Sequence, residues 1–447
     1  MSKIQYVIKR SGDKVPFNRN RIVNALYRAA IAVGERNREQ IEQLTDQIIE
    51  KLELEFSEKK IPHIEEIQDI AEYILIKNGQ AKTAKAYILY RAENIRNREK
   101  NSKQDNRLSE NIPWAKCWQI LDWAVTHSLN TIELLNQKIK AGKIKEIIQE
   151  SEHAYQRDIA HAAELIIDRA KETKLVIVTG PSSSGKTTTT HKLETYLNKE
   201  GLKFAALNVD HYFFDLAMHP KDEFGDYDFE TPQALDLDLI NEHLNRLVKG
   251  EKVLIPTYDF KTGTRKLDQT PMQIHQDEIT LLDSLHGLYP DMTASIASEN
   301  KFKLYLEPLM QLKAADGRYV RWTDIRLIRR MLRDSAFRAY NPTQTLEHWH
   351  YVRTSELRNI IPYINTTDYV INSAMPYEIA LYAHKLGKEF AKWVEKYRED
   401  PLKLDAYTRA LRINEVLKQT EPWDDDSIVP EDSVLREFIG GSSIKYH

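Results

Sequence analysis

The run Gly180-Pro-Ser182-Ser183-Ser184-Gly185-Lys186-Thr187 sets two glycines, a lysine and a hydroxyl at the spacing G-x-x-x-x-G-K-[ST]. Each type has a part in holding a polyphosphate. Gly180 and Gly185 let successive backbone N–H groups turn inward on phosphate oxygens, with Ser182, Ser183 and Ser184 between them. Lys186 is long enough to reach the β- and γ-phosphates, and the Thr187 hydroxyl is a ligand for Mg²⁺. A serine-rich turn before a helix is the bland alternative. Context disfavours it: Lys174-Leu-Val-Ile-Val-Thr reads as a buried strand before the loop. Thr188 to Lys199 reads as a helix after it, with Leu193, Tyr196 and Leu197 on one face and Gly201 as its stop. The expectation is a nucleoside triphosphate site taking ATP with Mg²⁺, bound by residues 180–188.

A second buried run, Phe204-Ala-Ala-Leu-Asn-Val-Asp210, ends in a carboxylate. Ligands of parallel sheets gather beyond the carboxyl ends of strands. Asp210 therefore stands where an acceptor hydroxyl would lie in line with a γ-phosphate, within reach of a general base. Read alone, Asp210 serves equally as a turn cap. Further on, Arg326, Arg329, Arg330, Arg333 and Arg338 fall within one helical segment that holds only Asp324 and Asp334. Cations spaced three and four apart also describe a solvated, ion-paired face. The surplus of arginine favours a face turned toward an anion. Trp349, between His348 and His350, has no ligand set at metal spacing and reads as packing.

The chain's 447 residues suffice for two or three domains. With 41% hydrophobic and 29% charged residues the chain has ample core material. A net charge of -3 gives no pull toward nucleic acid or anionic membrane, so neither is expected as a partner. The one cysteine, Cys117, excludes an internal disulfide and suits a reducing compartment. No apolar run spans a bilayer and the first residues lack a signal core, so a cytoplasmic location is expected. Assembly into a homo-oligomer is left open.

Four segments are expected. Residues 1–95 begin with a strand over Gln5 to Arg10, a turn at Ser11 to Lys14 and a return at Val15 to Phe17. Four helices follow, over residues 18–30 (capped by Asn18), 38–54, 64–77 and 81–96. Residues 96–172 are a charged linker and a helical connector, where Trp114, Trp118 and Leu121 suggest a packed stripe. Residues 173–400 carry the chemistry. Residues 401–447 form a helix and tail packing on that domain.

Two resemblances follow from particular residues. Val7-Ile-Lys9-Arg10-Ser-Gly12, Pro16-Phe17, Arg21-Ile22 and Tyr87-Ile-Leu-Tyr90-Arg91 resemble the ATP-cone, a small regulatory nucleotide-binding domain. The resemblance implies that Lys9, Arg10 and Arg21 meet the phosphates of a nucleotide effector. Arg21 replaces a customary lysine, keeping charge but changing donor geometry. Asn208-Val-Asp210-His-Tyr212-Phe213, Tyr227-Asp-Phe229-Glu230-Thr-Pro232 and Ile255-Pro-Thr-Tyr258-Asp259-Phe260 follow the uridine kinase pattern in order and spacing, within the phosphoribulokinase-like P-loop kinases. Leu281-Leu-Asp283 lies where that family has its second acidic strand end, and Thr323 to Arg338 resembles its arginine-rich lid helix.

The second resemblance covers residues 173–380 and implies an α/β fold of P-loop type, a parallel sheet flanked by helices. It implies Asp210 as base, with Lys186 and Arg338 acting on the transferring phosphoryl group. Tyr212 or Phe213, Phe229, Tyr258 and Phe260 would line a nucleoside pocket, and Glu230 would hold the ribose hydroxyls. Asp283 would join Thr187 at the metal, and Arg330 and Arg333 would close on phosphate. Gly263 stands where pyrimidine nucleoside kinases carry a base-reading histidine, and loss of such a contact lowers discrimination by orders of magnitude. The implied activity is transfer of the γ-phosphate to a nucleoside or sugar-like alcohol, regulated through the ATP-cone. A sugar-phosphate kinase and a non-catalytic nucleotide sensor are the competing readings.

Overall fold

The computed structural model describes residues 4–8, 14–56, 61–88, 111–220, 230–260, 262–275, 278–337, 341–400 and 403–444. They form two compact units, one built mainly on residues 1–109 and the other mainly on residues 110–447.

In the first unit β1 (Tyr6–Ile8) and β2 (Lys14–Pro16) pair antiparallel, with Tyr6 opposite Pro16. Asn18 starts the helix Arg19–Ala32 by accepting from the Asn20 N–H at 2.9 Å. Asn37 caps Arg38–Glu55 in the same way, through the Gln40 N–H. Such caps satisfy a donor that the first helical turn leaves open. Ile64–Lys77 forms the third helix, and residues 81–88 are helical. The expected continuation to residue 96 lies outside the described residues. Leu44, Ile48 and Leu52, four apart on one helix, bury with Val7, Leu26, Ala71 and Leu75.

The second unit is organised by a parallel sheet. Its strands are β3 (Leu175–Thr179), β4 (Lys203–Asn208), β7 (Glu278–Ser284), β8 (Lys301–Glu307) and β9 (Tyr369–Asn372), in the order β4-β7-β3-β8-β9. Between β4 and β7 the chain makes an antiparallel hairpin of β5 (Val253–Asp259) and β6 (Thr264–Met272). The central strand β3 is buried throughout, as its unbroken apolar run requires. Val176 and Val178 join Tyr155, Leu193 and Leu197 in one core, whereas Leu175 and Ile177 join Leu207, Ile240 and Leu244 in another. Alternation along the strand thus serves both faces, each such side chain contributing about 1.5–3 kcal/mol on burial.

The helices Trp114–Thr126, Ile132–Lys140 and Ile144–Asp168 share the first of these cores, through Trp123, Leu135, Ile147 and Ile159. Trp114 and Trp118 do not pack as their spacing suggested. They are 45% and 69% exposed, because their helix turns Cys117 and Ala124 inward instead. Register matters most for function. Val178 and Asn208 both stand opposite Asp283, so β3, β4 and β7 end level, and Gly180, Asp210 and Asp283 share one edge. Among the described residues no helix is long and apolar enough to cross a membrane.

Candidate active site

The phosphate loop leaves β3 at Gly180 and enters the helix Lys186–Lys199 at Gly185. Both glycines are required by space. A Cβ at Gly180 would stand 2.2 Å from the Leu306 carbonyl oxygen, and one at Gly185 2.4 Å from Val434 Cγ2. Gly185 also has φ +95°, a region closed to most side chains. The Lys186 ammonium donates to the Gly180 carbonyl at 3.0 Å, which folds the lysine back over the loop. The Ser183 and Ser184 hydroxyls are buried without hydrogen-bond partners among the described residues, whereas Thr187 is exposed. Orphaned donors around a ring of loop amides fit an anion, since buried polar groups otherwise find partners.

Past β4 the chain makes a single tight turn, Val209–Tyr212, and the Asn208 side chain accepts from the Asp210 N–H at 2.9 Å. Asn208 is therefore the cap, and the Asp210 carboxylate is exposed at the sheet edge. Burial, opposed by the attraction of Lys186, pushes the Asp283 carboxyl up to about 6, with Glu437 and Asp210 adding to the rise. Burial likewise lowers the Lys186 ammonium, against the attraction of Asp283, Glu437 and Asp210. One lysine and three carboxylates thus share one electrostatic neighbourhood. Lys186 and two of the carboxylates, Asp210 and Asp283, were singled out from the sequence; Glu437 was not.

His286 was also missed, although it follows the acidic strand end by three residues. It is buried, and neither ring nitrogen reaches full hydrogen-bond geometry. Burial first, and then the Lys186 charge, push it down to about 4, with the Glu230 backbone opposing. It is a neutral imidazole beside the phosphate loop.

The arginine helix, Trp322–Phe337, corrects the sequence reading. Arg326 is fully buried, bonded to Glu307 at 3.2 Å and to Glu356 through both carboxylate oxygens. Arg329 is fully buried on Glu378, at 2.8 and 3.0 Å. The apparent surplus of cation is absorbed by carboxylates from three other elements. These two guanidiniums still touch the phosphate loop from behind, donating to the Ser182 carbonyl at 3.2 Å and the Ser184 carbonyl at 3.4 Å. Arg330 faces the site: its Nη1 lies 3.3 Å from Ser182 Oγ and 3.2 Å from Glu230 Oε1. Arg330 also pairs with Asp334, as does Arg333. Glu230, expected at the ribose, is here the partner of Arg330. Phe229 and Arg338 lie outside the described residues.

Beside the turn Val209–Tyr212 an aromatic group gathers around the β5–β6 hairpin. Ring centroids of Phe213 lie 5.5 Å from Tyr258 and 5.9 Å from Phe260, and those of Tyr258 and Phe260 are 5.0 Å apart. Tyr212 is not among them. It is fully buried, its hydroxyl 2.8 Å from His243 Nδ1, so Phe213 is the member of that pair that joins the group. Gly263 has a structural cause: φ is +67°, and a Cβ would meet Leu216 Cβ at 2.8 Å. In the first unit Arg21 is exposed, while Lys9 and Arg10 lie outside the described residues.

A phosphate loop on the central strand of a parallel sheet, with Asp283 ending the adjacent strand β7 and Asp210 just past β4 on its far side, defines a P-loop kinase. The chain belongs to the phosphoribulokinase/uridine kinase family, whose model matches residues 175–380, and residues 5–95 match the ATP cone domain. It is an ATP-dependent kinase. A uridine kinase of Staphylococcus aureus is 31% identical over 166 residues, 37% of this chain and 70% of that protein. A uridine kinase of Deinococcus deserti is 27% identical over 195 residues, 43% of this chain and 84% of that protein. Among solved structures, a putative fructose transport system kinase from Silicibacter sp. TM1040 is 15% identical, covering 47% of this chain and 98% of its own, with a TM-score of 0.34. A possible uridine kinase from Bacillus stearothermophilus is 13% identical at the same coverage, with a TM-score of 0.32.

Proposed function

We propose that the enzyme transfers the γ-phosphate of ATP to a hydroxyl of a ribonucleoside, with Asp210 as general base. The observation that carries this reading is the field shared by Lys186, Asp210 and Asp283 at the carboxyl edge of β3, β4 and β7. Asp210 takes the acceptor proton as the hydroxyl oxygen bonds to the γ-phosphorus and the bond to the β,γ-bridging oxygen breaks. Lys186, together with the loop amides, holds the spreading negative charge, which is the main task in phosphoryl transfer. The exposed Thr187 hydroxyl and the Asp283 carboxylate are hard oxygen ligands that suit Mg²⁺, the rest of its shell coming from phosphates and water. When bound, that ion neutralises charge on the transferring group.

Phe213, Tyr258 and Phe260 offer aromatic faces to a base, which favours a nucleoside over a plain sugar. A second phosphate on the acceptor would need spare cations. Arg326 and Arg329 are buried on carboxylates, which argues against a sugar-phosphate acceptor. Gly263 offers no side chain to read the base edge, so tolerance among bases is expected. A panel of ribonucleosides, sugar alcohols and sugar phosphates, assayed for ATP-dependent phosphorylation, tests the assignment. Turnover of several ribonucleosides is expected; turnover of sugar phosphates alone would overturn it.

Regulation completes the proposal: ATP or dATP on the cone, held in part by Lys9, Arg10 and Arg21, shifts the kinase between two states. Such coupling requires the effector to bind one state better. Initial rates at saturating acceptor should depart from a simple hyperbola as ATP rises, or change when dATP is added. Rates that follow one hyperbola and ignore dATP would contradict it.

A further inference from the structure

The phosphate loop already holds an anion, and it comes from the far end of the chain. Glu437 lies in the short helix Arg436–Ile439, 249 residues beyond Thr188. Its Oε2 accepts from the Thr188 N–H at 3.2 Å and from the Thr188 hydroxyl at 2.9 Å. Thr188 is the third residue of the helix Lys186–Lys199, so its N–H is one of the first-turn donors that have no partner within a helix. It also sits at the positive end of the helix, where anions are stabilised. A triphosphate laid along Gly180 to Thr188 claims that donor.

The contact is not an isolated one. Val434 packs on Gly185, its Cγ2 2.4 Å from where a Cβ would stand, and the Phe438 ring covers the Arg329 guanidinium at 5.0 Å. Val434, Glu437 and Phe438 are all buried. Ser433 is anchored beside them through its hydroxyl on Glu152. Residues 433–438 therefore form a strap seated against the loop and the start of its helix. The charges point the same way. Glu437 acts on Lys186 and on Asp283 alongside Asp210, and a polyanion entering this neighbourhood meets a carboxylate already in place.

We infer that Glu437 is an internal substitute for a phosphate oxygen of the nucleotide, so that the Glu437–Thr188 contact and full seating of the triphosphate exclude each other. The strap is then an autoinhibitory element of the donor site whose release is coupled to ATP binding. The inference rests on the donor-site reading given above.

Binding is the right readout, because it does not depend on the acceptor. The dissociation constant for ATP with Mg²⁺ at the phosphate loop is measured by calorimetry on the full chain and on Glu437→Gln, with a two-site fit separating the cone's share. The amide keeps the shape and an acceptor for Thr188 but removes the charge. The variant is expected to bind ATP at least about fivefold more tightly. Hydrogen exchange on the wild-type chain supplies the second measurement: on adding ATP, residues 433–444 should exchange faster while the phosphate loop becomes protected. Equal or weaker binding by the variant, or protection of residues 433–444 by ATP, would show Glu437 to be a helix cap that coexists with nucleotide. Either result overturns this inference and leaves the kinase reading standing. Failure of both chains to bind ATP would overturn the two together.

Discussion

Replacing Glu378 with glutamine removes one charge from the most enclosed ion pair of the site. All five N–H groups of Arg329 are used: two on Glu378 at 2.8 and 3.0 Å, two on Ser373 at 3.2 and 2.7 Å, and one on the Ser184 carbonyl at 3.4 Å. Each oxygen of Glu378 accepts twice, Oε2 from Arg329 and the Tyr382 hydroxyl, Oε1 from Arg329 and the Met375 N–H. A glutamine therefore turns its NH₂ toward two donors whichever way the amide is placed. The guanidinium stays buried without a counter-charge. Breaking a buried pair from one side costs about 3–5 kcal/mol. At roughly 2–4 °C per kcal/mol, the melting transition of this unit should fall by about 6–20 °C. Calorimetry, which separates the transitions of a chain with two units, reads this directly, and urea midpoints give an independent value. The exposed Arg318–Asp316 pair, with side chains 70% and 41% accessible, supplies the control: Asp316→Asn should leave the melting temperature and the urea midpoint nearly where they are in the wild-type chain. A Glu378→Gln effect as small as the control's would refute the claim that this pair braces the loop.

Gly180→Ala should abolish ATP binding at the phosphate loop, leaving only the cone's share of the calorimetric signal, because the added methyl meets the Leu306 backbone, which cannot yield without shifting β8. Gly263→Ala should lower the urea midpoint by about 1–3 kcal/mol equivalent and raise the acceptor KM, since φ +67° and the Leu216 contact both oppose a side chain. His286 gives a pH dependence. Its folded value is lowered to about 4, whereas an unfolded histidine titrates near about 6.5. Between these values the unfolded chain binds the extra proton, so stability falls as pH drops from 6.5 to 4 and rises with pH across that window. In His286→Asn this share of acid sensitivity, at most about 3 kcal/mol, should vanish from the difference between the two stability–pH curves; superimposable slopes would contradict it.

What could be read from the sequence was what depends on neighbours along the chain. The phosphate loop was legible because its glycines, its lysine and the flanking strand and helix lie within about two dozen residues and obey local rules. Asp210 was legible as a strand end, but only the Asn208 side chain, two residues back, decides that the cap is not Asp210. The arginine helix misled because its neutralising partners come from afar: Glu307, Glu356 and Glu378 stand 19, 30 and 49 residues from the arginines they hold. Tyr212 and Phe213 are adjacent, and the choice of which one enters the core is made by His243 on a separate helix. Trp114 and Trp118 had the spacing of a buried stripe, yet the helix is rotated to bury smaller residues. Glu437 lies 249 residues from its partner, and no periodicity carries across that distance.

In the proposed mechanism every step needs Asp210 as the base opposite the Lys186–Thr187 grip. Asp210→Asn, compared with the wild-type chain for ATP-dependent phosphorylation of a ribonucleoside and for ATP affinity, tests this most directly. Turnover should fall by about 10²–10⁴-fold with ATP affinity nearly unchanged. Turnover within a few-fold of wild type would place the base elsewhere and contradict it.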